Sequence, residues 1–172
     1  MLNYTESGDI SQHLPILYTI TRSLRPSLVL EIGIRRGCST GIFTQAIKEN
    51  DVACEHHCCD IDPECRGVVK AFGGIFHNMS SNDLAVGWDK PIDILFIDGC
   101  HEYSQVKRDF FNFLPFVRKD GIIFLHDTFP AEGHDTPTYC GDAYKILNDF
   151  GDIEHVTLPY QNGLTICRKG DV

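Results

Sequence analysis

Strand-like runs alternate with helix-like ones along this chain, and that alternation restricts the fold more than any other feature of the sequence. SLVLEIG (27–33), ACEHHCCDID (53–62), GIFHN (74–78), IDILFID (92–98) and GIIFLHD (121–127) read as strands, short and bounded by glycine or polar residues. The stretches between them carry apolar residues at helical spacing. In TGIFTQAIKEN (40–50) these are Ile42, Phe43, Ala46 and Ile47, with Ser39 or Thr40 as the cap. Pro63 suits the first turn of a helix through about Val69. In YSQVKRDFFNFLPFV (103–117) the stripe is Tyr103, Val106, Phe110, Phe113, Leu114 and Val117. GDAYKILNDFG (141–151) reads as a further helix closed by a glycine. Alternation of this kind gives a parallel sheet with helices on both faces.

The tail breaks the pattern. IEHVTLPYQNGLTICRK (153–169) holds two β-like runs around Asn162-Gly163, a hairpin signal. The predicted fold is α/β, a Rossmann-like doubly wound, mostly parallel seven-stranded sheet ending in an antiparallel C-terminal hairpin. One domain over 1–172 is expected, with a helical cap over one edge in 1–24 and a core in 25–168.

A formal net charge of -9 argues against nucleic acid or an anionic membrane surface as partner. No stretch is long and apolar enough for a membrane span, and the N-terminal residues lack the features of a signal peptide, so a cytoplasmic location is expected. The eight cysteines include no CxxC pair. The densest cluster, CEHHCCD (54–60), suggests zinc, but on a strand Cys54, His56 and Cys58 face one way and His57 and Cys59 the other. One strand cannot wrap them around an ion as a knuckle does, so packing is the expected role.

In an open α/β sheet, ligands bind at the carboxyl ends of the strands. The informative residues stand there. EIGIRRGCST follows the first strand, and Gly33 and Gly37 permit a tight turn and close backbone approach. The spacing is not GxGxxG, which disfavours an NAD-linked oxidoreductase. An acid after the second strand suits two ribose hydroxyls: Asp60, with Asp62 the rival that could instead cap a helix. Asp98 and Asp127 end the fourth and fifth strands, and NMSSND, rich in short polar groups, follows the third.

Glu31-x-Gly33-x-x-x-Gly37, Asp60-Ile61-Asp62-Pro63, IDILFIDGCHEY and KDGIIFLHD, in that order, resemble a class I S-adenosylmethionine-dependent methyltransferase over residues 25–168. FIDGCHEYSQVKRDF, with LPFVRKDGIIFLHD after it, further resembles the small-molecule O-methyltransferase branch that includes macrolide-sugar and catechol-type enzymes. The resemblance implies that Glu31 and Gly33 line the methionine moiety, with Gly37 and Ser39 nearby. It implies that Asp60 holds the ribose and that Ser81 and Asn82 edge the adenine. Asp98 and Asp127 match carboxylates that bind a divalent metal, Mg²⁺, and Asp98 also borders the cofactor and the reacting groups. His101 stands where such enzymes place a general base; a helix-terminal histidine satisfied by backbone is its plain rival. Catechol-type members carry an asparagine after the second metal aspartate, whereas this chain has Thr128. His126 and His134 are expected in core or surface roles. The implied partner is a small-molecule hydroxyl acceptor, with a homo-oligomer as a further expectation. The alternative is a nucleotide-binding domain without catalysis, since only 129–141 and the N-terminal helix offer an acceptor lid.

Overall fold

The computed structural model describes residues 8–129 and 141–170. Its strands are Leu28–Ile32 (β1), Glu55–Asp60 (β2), Ile75–Asn78 (β3), Ile92–Ile97 (β4), Val117–His126 (β5), Glu154–Leu158 (β6) and Leu164–Arg168 (β7). They form one sheet in the order β3-β2-β1-β4-β5-β7-β6. β1 to β5 are parallel to their neighbours within that set, and β7 runs antiparallel to both β5 and β6. The helices are Leu14–Leu24 (α1), Cys38–Asn50 (α2), Cys65–Phe72 (α3), Ser81–Val86 (α4) and Tyr103–Phe113 (α5). Among the described residues no helix is long and apolar enough to cross a membrane.

Side chains of the central strands alternate between two cores. Leu28, Leu30, Ile32, Leu95 and Ile97 pack with Val106, Phe110 and Phe113 of α5. Val29, Ile94, Phe96 and Phe124 pack with Leu14 and Leu17 of α1 and Ile42 and Phe43 of α2. Phe43, Phe96, Phe110, Phe113 and Phe124 are all fully buried. Each contributes roughly 1.5–3 kcal/mol relative to exposure.

Several local expectations change. α1 buries its stripe against α2 and a sheet face instead of covering an edge. The helix expected over 103–117 stops at Phe113, because Pro115 has no N–H to continue it; a 3-10 turn, Leu114–Phe116, leads straight into β5. The helix expected over 141–151 is a 3-10 helix, Ala143–Asp149. Its start is tied sideways, with Asp142 N donating to His101 O and Tyr103 N donating to Asp142 Oδ1. α4 went unforeseen in NMSSND, although Ser80 caps it by accepting from Asp83 N at 3.1 Å.

The turn after β1 is fixed by contact with β4. Asp98 N donates to Ile32 O at 2.8 Å, and Gly33 has φ +90°. A Cβ at Gly33 would lie 2.2 Å from Asp98 O. The space reserved there holds the Asp98–Gly99 backbone, so Gly33 serves the loop before it serves any ligand. Gly33→Ala is expected to destabilise the fold by at least ~1–3 kcal/mol, the cost of a strained φ alone. Urea unfolding checks this; an unchanged midpoint would show that the loop yields freely.

Candidate active site

The winding direction reverses between β1 and β4, and a cavity of about 760 Å³ opens at their carboxyl ends. Its wall takes Ile32–Arg35 after β1, Cys59–Asp62 after β2, Met79–Asn82 after β3, and Asp98–Glu102 after β4.

Asp60 organises one end. Its Oδ2 accepts from Ile34 N at 2.8 Å, and its Oδ1 accepts from Asp62 N at 2.9 Å. Oδ2 also accepts from Arg35 N at 3.5 Å, and Oδ1 keeps lone-pair capacity for a further donor. Asp62 Oδ1 accepts from Glu64 N at 2.9 Å, the capping role that its position before Pro63 suggests. Beside them Ile61 is 75% exposed, an unusual state for isoleucine, and with Met79 it gives the wall an apolar surface. The far side of this end is polar. Ser81 Oγ and Gln105 Nε2 donate to Asp109 Oδ1 at 2.5 and 2.7 Å, and Asn82 Nδ2 donates to Gln105 Oε1 at 3.2 Å. Burial pushes the Asp109 carboxyl up against these hydrogen bonds. Asp109 and Gln105 sit one turn apart on α5. Nothing in the linear sequence links them to Ser81, because α4 and its docking on α5 were not legible.

The other end gathers acids and imidazoles. Asp98, His101 and Asp127 bring ligand-type atoms within 4.8 Å of one another. His101 Nε2 lies 3.0 Å from Asp127 Oδ2. His126 Nδ1 lies 3.3 Å from Asp98 Oδ1 and 3.2 Å from Asp127 Oδ2. Asp127 is 1% exposed, at φ +58°, and neither of its carboxylate oxygens receives an aligned hydrogen bond. Burial would raise its carboxyl, but His101 and His126 hold it far below the usual range. Burial would lower His126, but Asp98 and Asp127 push it up to about 10. His126 was expected in a plain core or surface role; its ring bridges the two carboxylates. Thr128 Oγ1 donates to Leu125 O at 3.4 Å and accepts from Thr165 Oγ1 at 2.7 Å, so its hydroxyl is already engaged by neighbouring strands.

Gly33, Asp60, Ser81, Asn82, Asp98 and His101 therefore share one wall, with Asp127 against His101. Three expected residues do not share it. The Glu31 side chain is fully buried on the α2 face, because strand alternation sends it opposite to Ile32. There it accepts a short hydrogen bond from Ser39 Oγ, which draws Ser39 away from the cavity as well. Gly37 lies under α3, where a Cβ would meet Val68 Cγ1 at 2.3 Å. Glu31, Gly37 and Ser39 thus lie in packing contacts behind the cavity wall and not along it. The suggested lid, 129–141, and His134 fall almost wholly outside the described residues.

A family model described as a methyltransferase domain matches residues 30–128. Solved structures with the same fold include a Podospora anserina methyltransferase crystallised with SAH, 17% identical, TM-score 0.74, covering 92% of this chain and 78% of that one. The TomG O-methyltransferase of Streptomyces achromogenes, involved in tomaymycin synthesis and crystallised with SAM, is 14% identical with TM-score 0.71, over 93% and 80% of the two chains. An O-methyltransferase from Bacillus cereus in complex with SAH is 14% identical with TM-score 0.69, over 92% and 81%. An uncharacterised Sinorhizobium fredii protein, y4gI, is 28% identical over 89% of this chain, which spans only 18% of that relative's length. With more than half of the chain matched and the reversed last strand in place, this chain belongs to the methyltransferase domain family and has its class I fold.

Proposed function

We propose that the domain transfers a methyl group from S-adenosylmethionine to a hydroxyl of a small molecule. The observation that carries this reading is a cavity at the switch point with a ribose-type acid, Asp60, at one end and Asp98 and His101 at the other, Asp127 standing behind His101. The cofactor, when bound, supplies an activated methyl group. Asp60 takes the ribose hydroxyls, Ser81 and Asn82 edge the adenine beside Ile61 and Met79, and the Gly33 turn borders the amino-acid portion. His101 accepts the acceptor's proton, and Asp127 at 3.0 Å stabilises the imidazolium that forms. Holding donor and acceptor in line supplies several kcal/mol, up to roughly 7–11 in ideal cases.

The acid cluster fits a divalent ion. Asp127, whose two carboxylate oxygens are buried without aligned donors, and Asp98 each offer it one carboxylate oxygen, within 4.8 Å of one another. Mg²⁺ held by these two residues would lower the pKa of the acceptor hydroxyl and orient it. A metal-independent reading has its own observation: the His126 ring stands between the two acids, 3.3 Å from Asp98 Oδ1 and 3.2 Å from Asp127 Oδ2.

Calorimetry with S-adenosylhomocysteine tests the cofactor assignment. Micromolar binding is expected, weakened in Asp60→Ala by ~1.5–3 kcal/mol, the range for hydrogen bonds to a charged group. Equal affinity in the variant would remove the ribose role. Binding of NADH in place of S-adenosylhomocysteine would overturn the reading. Cofactor binding without turnover over a broad panel of hydroxyl acceptors would select a non-catalytic nucleotide-binding domain.

A further inference from the structure

A second set of donor atoms lies beneath α2, on the sheet face where Glu31 is buried. Glu31 of β1 and Cys58 of β2 are register partners on adjacent strands, and His56 precedes Cys58 by two residues. All three side chains therefore project to one face. They are 0%, 0% and 6% exposed for Glu31, Cys58 and His56. His56 Nε2 lies 3.2 Å from Glu31 Oε2, and Cys58 Sγ lies 3.7 Å from the same oxygen. Despite that proximity, His56 Nε2 makes no aligned hydrogen bond.

These separations suit a metal ion. Zinc bonds of about 2.0–2.3 Å set the edges of a tetrahedron at roughly 3.3–3.7 Å. The outer contacts are also in place, since Thr44 Oγ1 stands 3.3 Å from His56 Nδ1 and Ser39 Oγ donates to Glu31 Oε1. A single strand could not surround an ion with His56 and Cys58. The neighbouring strand supplies the third donor, which the linear sequence does not reveal.

We propose that Glu31, His56 and Cys58 form a buried Zn²⁺ site that braces β1 against β2. The ion takes the Nε2 lone pair, which leaves the ring proton on Nδ1 to donate to Thr44 Oγ1. Cys58 releases its thiol proton to solvent and binds as the thiolate. One carboxylate and one thiolate then balance the charge of the ion, so no net charge is buried. The fourth position falls to a water molecule. Burial of all three ligands means that the ion enters as the chain folds. The site is independent of the methyl-transfer reading and shares no residue with the cavity wall.

The chain is expressed or refolded with zinc, desalted and assayed by elemental mass spectrometry. About one ion per chain is expected in the wild type and in Asp127→Ala, and a large loss in Cys58→Ser and His56→Gln. Refolding with Co²⁺ gives an independent optical signature. A thiolate-to-cobalt charge-transfer band and strong tetrahedral bands are expected in the wild type and in Cys100→Ser. Both should be absent in Cys58→Ser, a near-isosteric change whose folding circular dichroism verifies. Wild-type protein that retains no zinc, or a cobalt spectrum that persists in Cys58→Ser, overturns the site and leaves a metal-free hydrogen-bonded network. A band lost in Asp127→Ala instead would assign the ion to the cavity and equally overturn it.

Discussion

Replacing His101 with alanine is expected to lower turnover by about 10²–10⁴-fold while the affinity for S-adenosylhomocysteine hardly changes. The ring stands at the cavity wall with one third of its side-chain surface exposed, so an acceptor can reach it. Its Nε2 faces the buried Asp127 carboxylate, the partner that stabilises an imidazolium in a site of low polarity. The variant removes the proton acceptor and leaves Asp60 and the Gly33 turn intact. Steady-state kinetics paired with calorimetry separate the two effects. Full activity in His101→Ala would move the base elsewhere, with His126 and His134 the next residues to replace. A parallel metal assay matters because His101 also lies within ligand distance of Asp98 and Asp127. As a base, its loss leaves metal content unchanged; as a ligand, its loss lowers metal content.

The second large effect concerns the acids. Chelator is expected to depress activity by a factor on the order of 10³, since polarising a reacting oxygen is worth several kcal/mol, and Mg²⁺ is expected to restore it. Asp127→Ala should mimic the chelator and resist rescue. Cofactor affinity should hardly respond, because Asp60 at the other end of the cavity is untouched. Full activity in chelator would select the metal-independent reading, in which the His126 ring bridges Asp98 and Asp127 in place of an ion.

Much of the sheet was legible because its signals are local. IDILFID reads as a strand by its apolar run, and β4 occupies Ile92–Ile97. Asn162-Gly163 marks a turn by its chemistry, and β6 and β7 flank it. That Asp60, Asp98 and His101 line one cavity was legible because strand ends in this architecture point at one place. What failed depended on side-chain direction or on partners far away in the chain. Glu31 ends a strand beside two glycines, yet one residue of alternation turns it from the cavity into the core. The His126 bridge needs β4 and β5 side by side, and no spacing within FLHD announces it. Asp109 reaches the cavity only because α5 docks on α4, a helix too short to show periodicity.

The strand order has a consequence for how the chain reaches this structure. β7 is the last strand in sequence, but it lies inside the sheet, between β5 and β6. Until residues 164–168 exist and dock, β5 presents an unpaired edge along Ile122, Ile123, Phe124 and Leu125. An apolar edge of that kind is a template for pairing with other chains. β1 likewise waits for β4, since Val29 pairs with Ile94. Pairings this distant in sequence close slowly and cannot be completed early in synthesis. A growing chain therefore holds the apolar edge of β5 open until residues 164–168 emerge and dock, and its yield in the cell depends on what shields that edge in the interval.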